Sequence, residues 1–127
     1  MSNEDQETYR RLAVELRILE GTADAMQSRL NLISAALAEL NVARMTLEGV
    51  EKESPEAPLF VPIGGGSFVK AKLESSDKII VGMGAGVSIE KTIAEAKTTV
   101  HNRVSEMEKT MTSLRQQLVQ VVNRMQE

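Results

Sequence analysis

The sequence predicts an α+β fold in which a long antiparallel two-helix coiled coil is joined by two β-hairpins. Two heptad patterns of apolar residues, one towards each end of the 127-residue chain, predict the helices. Between them, apolar residues alternate with a period of two, as expected of strands with one buried face. These patterns predict an N-terminal coiled-coil helix over 4–53, a hairpin segment over 54–89 and a C-terminal coiled-coil helix over 90–127.

The first helix is predicted by apolar residues that recur in alternating steps of three and four for more than five heptads. Three or four heptads already favour a coiled coil over an ordinary amphipathic helix. No proline interrupts the pattern, and Arg44 stands at its one broken position. The seam consists of Tyr9, Leu12, Leu16, Leu19, Ala23, Met26, Leu30, Ile33, Leu37, Leu40 and Leu47.

The second helix carries a similar seam, formed by Val100, Val104, Met107, Met111, Leu114, Leu118, Val121 and Met125. In an antiparallel pair, the numbers of facing residues sum to a constant, and a sum of 137 pairs Leu12 with Met125. This register brings both chain ends together. It also places Arg44 opposite Ile93, which predicts looser packing beside the connection.

The middle segment contains four short alternating runs separated by glycine- or serine-containing turns, which predicts two consecutive hairpins. An isolated hairpin is marginal in water, and unpaired strand edges pair readily with other chains. We therefore expect a sheet or barrel completed by strands from other subunits. The predicted oligomerisation residues are Leu59, Val61, Ile63, Phe68, Val69, Ala71, Leu73, Ile79, Val81, Met83, Val87 and Ile89.

Composition and motifs disfavour several other functions. A net charge of −3 and an aromatic content of 2% disfavour nucleic-acid binding. The run with Gly82, Gly84 and Gly86 has Val87 where a dinucleotide fingerprint needs its third glycine, and no strand is expected after the second helix to complete a βαβ unit. His101 is the one histidine and cysteine is absent, so no metal site, cofactor or catalytic residue is expected, and the chain is predicted not to be an enzyme. No secretory signal or membrane span is expected either, which favours a cytoplasmic protein.

The hairpin segment resembles that of alpha-class prefoldin subunits of the archaeal type. The resemblance is carried by LFVPIG at 59–64, GSFVKAK at 66–72, KIIV at 78–81 and GMGAGVSIEK at 82–91. It implies a chaperone hexamer of two alpha and four beta subunits, in which the hairpins form an intersubunit β-barrel. It also implies capture of non-native polypeptides at coiled-coil tips without ATP and their transfer to a group II chaperonin.

The tip of the coiled coil is where we expect client contact, because the last turns of a helix pair open at little cost. Flexible methionine side chains adapt to varied apolar partners. An alternative is a structural coiled-coil tether or scaffold subunit without client binding, and altering the tip separates the two hypotheses. The predicted client-binding residues are Tyr9, Leu12, Leu16, Leu118, Val121, Val122 and Met125.

Overall fold

A computed structural model of the protein describes residues 2–75 and 77–126, and Glu127, at the end of the predicted second helix, lies outside them. The elements are α1 (Asn3–Glu51), β1 (Pro58–Gly64), β2 (Ser67–Lys72), β3 (Lys78–Gly84), β4 (Val87–Thr92) and α2 (Ile93–Gln126). The predicted fold of two long helices and two antiparallel hairpins is confirmed. The chain divides into two compact units, one of residues 39–104 and one of the described residues within 1–38 and 105–127.

Both helices begin at reciprocal caps. The Ser2 hydroxyl accepts a hydrogen bond from the Asp5 N–H at 3.2 Å, and an Asp5 carboxylate oxygen accepts one from the Ser2 N–H at 3.4 Å. Thr92 and Glu95 make the same exchange before α2, each at 3.2 Å. These bonds satisfy N–H groups that have no partner inside the helix. The sequence motif Thr-x-x-Glu therefore marks the start of α2 at Ile93.

The core of the 39–104 unit lies beside the hairpins. Its buried residues are Leu47, Val81, Ile93, Ala96 and Val100, with Leu40, Ala43, Val50, Ile79 and Val104 packed against them. The expectation of loose packing here was wrong. Ala43, instead of Arg44, continues the seam, since two successive steps of three residues separate Leu37, Leu40 and Ala43. Ile93 is consequently buried among apolar residues.

The second unit has a core of Leu30, Met111 and Leu114, against which Ile33, Leu37 and Leu118 pack. The residue numbers of its two most buried members, Leu30 and Leu114, sum to 144, one heptad more than the predicted 137. Ile33 packs against the same cluster, and its number and that of Met111 also sum to 144. The predicted register was therefore wrong by one heptad, while the predicted seam residues from Leu19 onwards are buried or half-buried.

The two hairpins repeat one design at an interval of 20 residues, since Leu59 pairs with Ala71 and Ile79 with Lys91. Each has a two-residue turn after a bulge at Gly64 or Gly84. Both turn residues have positive φ, 59° and 75° at Gly65 and Gly66 and 52° and 76° at Ala85 and Gly86. A type I′ turn requires this conformation. Ala85 therefore lies in the turn, and β4 runs from Val87 to Thr92.

Candidate interaction surfaces

The hairpins expose most of the residues predicted for oligomerisation. Val81 is buried in the core of the 39–104 unit and Ile79 packs against that core, so both support the fold of the subunit itself. Leu59, Ala71, Leu73 and Ile79 are half-buried. The exposed members are Val61, Ile63, Phe68, Val69, Met83, Val87 and Ile89. The structure thus presents a largely apolar surface where the sequence predicts contact with other subunits.

The first hairpin, Pro58–Lys72, is apolar on both faces. Val61 and Val69 are paired and exposed on one face. Phe60 and Phe68 are exposed on the other, where their rings meet edge to face with centroids 6.4 Å apart. Large uncovered apolar patches on a protein surface mark contact sites. The first hairpin therefore has apolar surface on both faces that partner chains can cover.

The second hairpin, Lys78–Thr92, is tied to the helices of its own unit. Val81 packs with Ile93 and Val100, and an Arg103 Nη2 donates a hydrogen bond to the Gly82 carbonyl oxygen at 2.8 Å. On the opposite face, exposed Ile80 pairs with Glu90. The second hairpin consequently offers less uncovered apolar surface than the first.

The tip of the helix pair exposes the first residues of the α1 seam. The exposed fractions are 69% for Tyr9, 54% for Leu12 and 39% for Leu16, whereas Leu118, Val121 and Met125 are half-buried. Val122 is exposed beside the α2 seam, as expected. A groove of about 420 Å³ is lined by Leu12, Glu15, Leu16, Leu19, Arg124 and Met125. The structure therefore brings Leu12, Leu16 and Met125 together at one site.

Three exposed apolar residues near this tip were missed from the sequence, namely Val14, Ile18 and Val119. They lie off the heptad seam, and the periodic pattern gives no signal for such positions. Ile18 lines a second groove beside Leu19 and Arg124. The apolar surface of the tip is therefore wider than the seam alone predicts.

The part of the chain that the structure describes offers neither a metal cluster nor a membrane-spanning helix. Within 2–75 and 77–126, no three His, Asp or Glu side chains are grouped so that they could hold a metal ion. None of the helices formed by those residues is both long and apolar enough to cross a bilayer. The exposed apolar surfaces of the hairpins and of the tip are the features that call for a functional explanation.

Comparison with known proteins identifies the family of this chain. The family model for the prefoldin subunit matches residues 19–127, most of the sequence. The chain belongs to the prefoldin family. Prefoldins are chaperone subunits, and the two helices and two hairpins of this prefoldin agree with that assignment.

Curated relatives agree on the class of subunit. Prefoldin subunit alpha of Methanopyrus kandleri is 35% identical over 115 residues, which cover 91% of this chain and 73% of the relative. That of Methanobrevibacter smithii is 31% identical, with coverage of 93% and 80%. For Methanococcoides burtonii the identity is 31% and the coverage 98% and 91%. This prefoldin thus resembles archaeal alpha subunits along nearly its whole length.

A solved structure shows the same fold. The filamentous prefoldin from Methanocaldococcus jannaschii superposes with a TM-score of 0.79, covering 90% of this chain and 94% of the other at 19% identity. At that identity the likeness concerns the fold alone. It supports the arrangement of two helices around two hairpins.

Proposed function

We propose that this prefoldin chain is a cytoplasmic, ATP-independent holdase subunit that captures unfolded polypeptides at its coiled-coil tip and delivers them to a group II chaperonin. The observation that carries this proposal is the exposure of the α1 seam at Tyr9, Leu12 and Leu16, in contrast to the buried residues further along the same seam. An exposed stripe of this kind is available to the apolar side chains that an unfolded protein displays. No cofactor, metal or catalytic residue is needed for such binding.

Assembly is the second part of the proposed function. The hairpins join with those of beta-class prefoldin subunits in an intersubunit β-barrel, which gives a hexamer of two alpha and four beta chains. Two features support this. The first hairpin is uncovered on both faces, and among the described residues β1 pairs with β2 alone, leaving its outer edge open. Closing a barrel removes such edges.

Several tips acting together explain how weak contacts hold a client. One tip offers a shallow groove of about 420 Å³, which is too small to enclose an unfolded chain. Linked sites raise the overall affinity because each later contact becomes intramolecular. Met125 in the groove can adapt to different side chains. A broad range of clients follows from this arrangement.

The test compares two double variants in the assembled complex. Leu12→Gln/Leu16→Gln makes the exposed seam polar, and Leu32→Gln/Val42→Gln makes two still more exposed off-seam positions of α1 polar. Light scattering follows the aggregation of a chemically unfolded test protein without ATP. We expect the seam variant to lose most of its protection and the control variant to keep it. No protection by the wild-type complex would instead favour a tether without client binding, and equal protection by wild type and the seam variant would contradict client binding at the tip.

Delivery is tested by transfer. A labelled client bound to the complex is mixed with a group II chaperonin, and its appearance on the chaperonin is followed by size-exclusion chromatography. We expect the labelled client to move to the chaperonin when the wild-type complex presents it. When the seam variant replaces wild type, the labelled client should aggregate. If the labelled client stays bound to the complex when the chaperonin is in excess, delivery is contradicted and the holdase role is unaffected.

A further inference from the structure

The exposed seam at the tip continues an interface between helices. Tyr9, Leu12, Leu16 and Leu19 follow the same alternation of three and four residues as Leu30, Ile33 and Leu37, which pack against α2 in the core of this unit. Leu19 is half-buried and shares the tip groove with Met125. Towards the first turn of α1 the same ridges become progressively more exposed, from 39% at Leu16 to 69% at Tyr9. The tip therefore presents a helix-packing surface.

On α1, the charged residues at the positions that directly flank this seam are acidic, whereas Arg10, Arg11 and Arg17 lie at positions further from it. Glu15 and Glu20 occupy the positions that flank the seam at its exposed end, and both side chains are exposed. Where α2 meets this surface, it places Met125 and Arg124 in the groove with Leu12 and Glu15. Helix α2 thus shows a pattern complementary to that of α1, since its apolar Met125 lies next to the basic Arg124. In coiled coils such flanking charges decide which partners are accepted.

We infer that the exposed α1 seam binds amphipathic helical segments of clients that carry Lys or Arg beside their apolar stripe. This inference rests on the proposed holdase function and specifies its substrate class. The family model begins at residue 19, so Tyr9, Leu12 and Leu16 lie before the part of the chain that it matches.

Geometry favours a helix over an extended segment as the occupant. Seam residues three and four apart on α1 are spaced by about 4.5 to 6 Å, and a second helix repeats the same spacing so that its side chains fit between those of the first. Side chains on one face of a strand recur at about 6.6 Å, so their spacing does not match that of the α1 seam. A helix also satisfies its own backbone hydrogen bonds, whereas an extended chain would bring unpaired N–H and C=O groups against an apolar ridge.

The test uses the full chain and four labelled peptides of about 20 residues, a length at which isolated helices become stable enough to form. Three share one composition of Leu, Ala, Gln and Lys, with the leucines in heptad, strictly alternating or scrambled order. The fourth is the heptad peptide with Glu replacing Lys. Fluorescence anisotropy gives the affinities. We expect the heptad–Lys peptide to bind at least about tenfold more tightly than the alternating and scrambled peptides, and more tightly than the heptad–Glu peptide.

Three variants locate the binding site and test its charge preference. Leu12→Gln/Leu16→Gln should abolish the preference for the heptad peptide, while Leu32→Gln, at a position 72% exposed and off the seam, should leave it unchanged. Glu15→Lys/Glu20→Lys should invert the preference between the Lys and Glu peptides. Lysine and glutamate have similar helix propensities, so α1 should persist, and circular dichroism verifies this.

The possible failures are distinguishable. If heptad and alternating peptides bind equally well, and both are lost in the Leu12→Gln/Leu16→Gln variant, the holdase site stands and the helical preference is overturned. If the affinities do not respond to Glu15→Lys/Glu20→Lys, the charge preference is overturned. If no peptide binds and the wild-type complex does not prevent aggregation, the proposed function and this inference both fall.

Discussion

At the scale of single residues, Thr92 and Glu95 determine where β4 gives way to α2. The Thr92 hydroxyl donates to a Glu95 carboxylate oxygen at 2.8 Å, and the Thr92 N–H donates to the same oxygen at 3.2 Å. The hydroxyl bond, then the N–H bond and the nearby charges of Lys91 and Lys78, hold the pKa of Glu95 below its ordinary value. The ionised carboxylate is thus the form that the fold favours. This cap fixes the first turn of a helix that contributes residues to both cores.

We predict that losing this cap destabilises the chain in a pH-dependent way. Thr92→Ala should lower the free energy of unfolding by about 1 kcal/mol at pH 7. Because the pKa of Glu95 is lowered on folding, its stabilising effect is present above the pKa of the unfolded state and is lost as pH falls through the folded-state pKa. Glu95→Gln should therefore lower the melting temperature at pH 7, with a smaller difference at about pH 3. Circular dichroism at 222 nm measures both.

A matched substitution controls for charge. Glu108→Gln removes another exposed carboxylate from the same helix, far from its first turn. Its melting temperature should stay close to that of wild type at pH 7. If Glu95→Gln behaves like Glu108→Gln at both pH values, the cap contributes nothing in solution.

At the scale of elements, the two hairpins have the same turn conformation but different residues in the turn, so they can be compared directly. Gly65 and Ala85 occupy the same first turn position, with φ of 59° and 52°. A residue with a Cβ is strained in this left-handed conformation by roughly 1–2 kcal/mol. No atom outside the neighbouring residues lies within 4 Å of where a Cβ would stand on Gly65, so the conformational effect is not mixed with a clash.

We predict opposite effects from exchanging these two residues. Ala85→Gly should stabilise the second hairpin by about 0.5–1 kcal/mol, after allowing for the greater freedom of glycine in the unfolded chain, and Gly65→Ala should weaken the first by a similar amount. Hydrogen exchange read by mass spectrometry reports each hairpin separately. Protection should rise in Lys78–Thr92 for the first variant and fall in Pro58–Lys72 for the second. Unchanged exchange in both would mean that the left-handed turns are not populated.

The elements also show what the sequence could and could not predict. Heptads and alternating runs predicted both helices and both hairpins, because each period corresponds to one secondary structure. The helix register could not be derived in the same way, since two heptad seams fit equally well after a shift of seven residues. The cluster of Leu30 with Met111 and Leu114 selects among these fits. The start of α2 could have been predicted from Thr92 and Glu95. The position of Ala85 in a turn could not, because alanine is apolar and turns favour glycine and small polar residues.

At the scale of the whole molecule, the proposed functions use separate sets of residues. The tip residues Leu12 and Leu16 and the hairpin residues Phe60 and Phe68 belong to different compact units of the chain. The sequence named residues for both surfaces that are mostly exposed in the structure, since the seam and alternating patterns continue through them. It failed at Val81, whose alternating pattern does not reveal whether its partner is another subunit or the helices of the same chain. Client binding and assembly should therefore be separable by mutation.

We predict that the isolated 13.9 kDa chain forms a defined complex of two copies with four beta-class prefoldin subunits when the two are mixed. Phe60→Ser/Phe68→Ser should abolish the complex, because the exposed rings would no longer be buried against a partner, and should leave helix content unchanged since neither ring lies in a core. Leu12→Gln/Leu16→Gln should assemble like wild type. Size-exclusion chromatography with multi-angle light scattering gives each mass. A wild-type chain that remains a folded monomer beside its partner would show that the open hairpin is not an assembly surface, and client binding would then require an explanation from single tips.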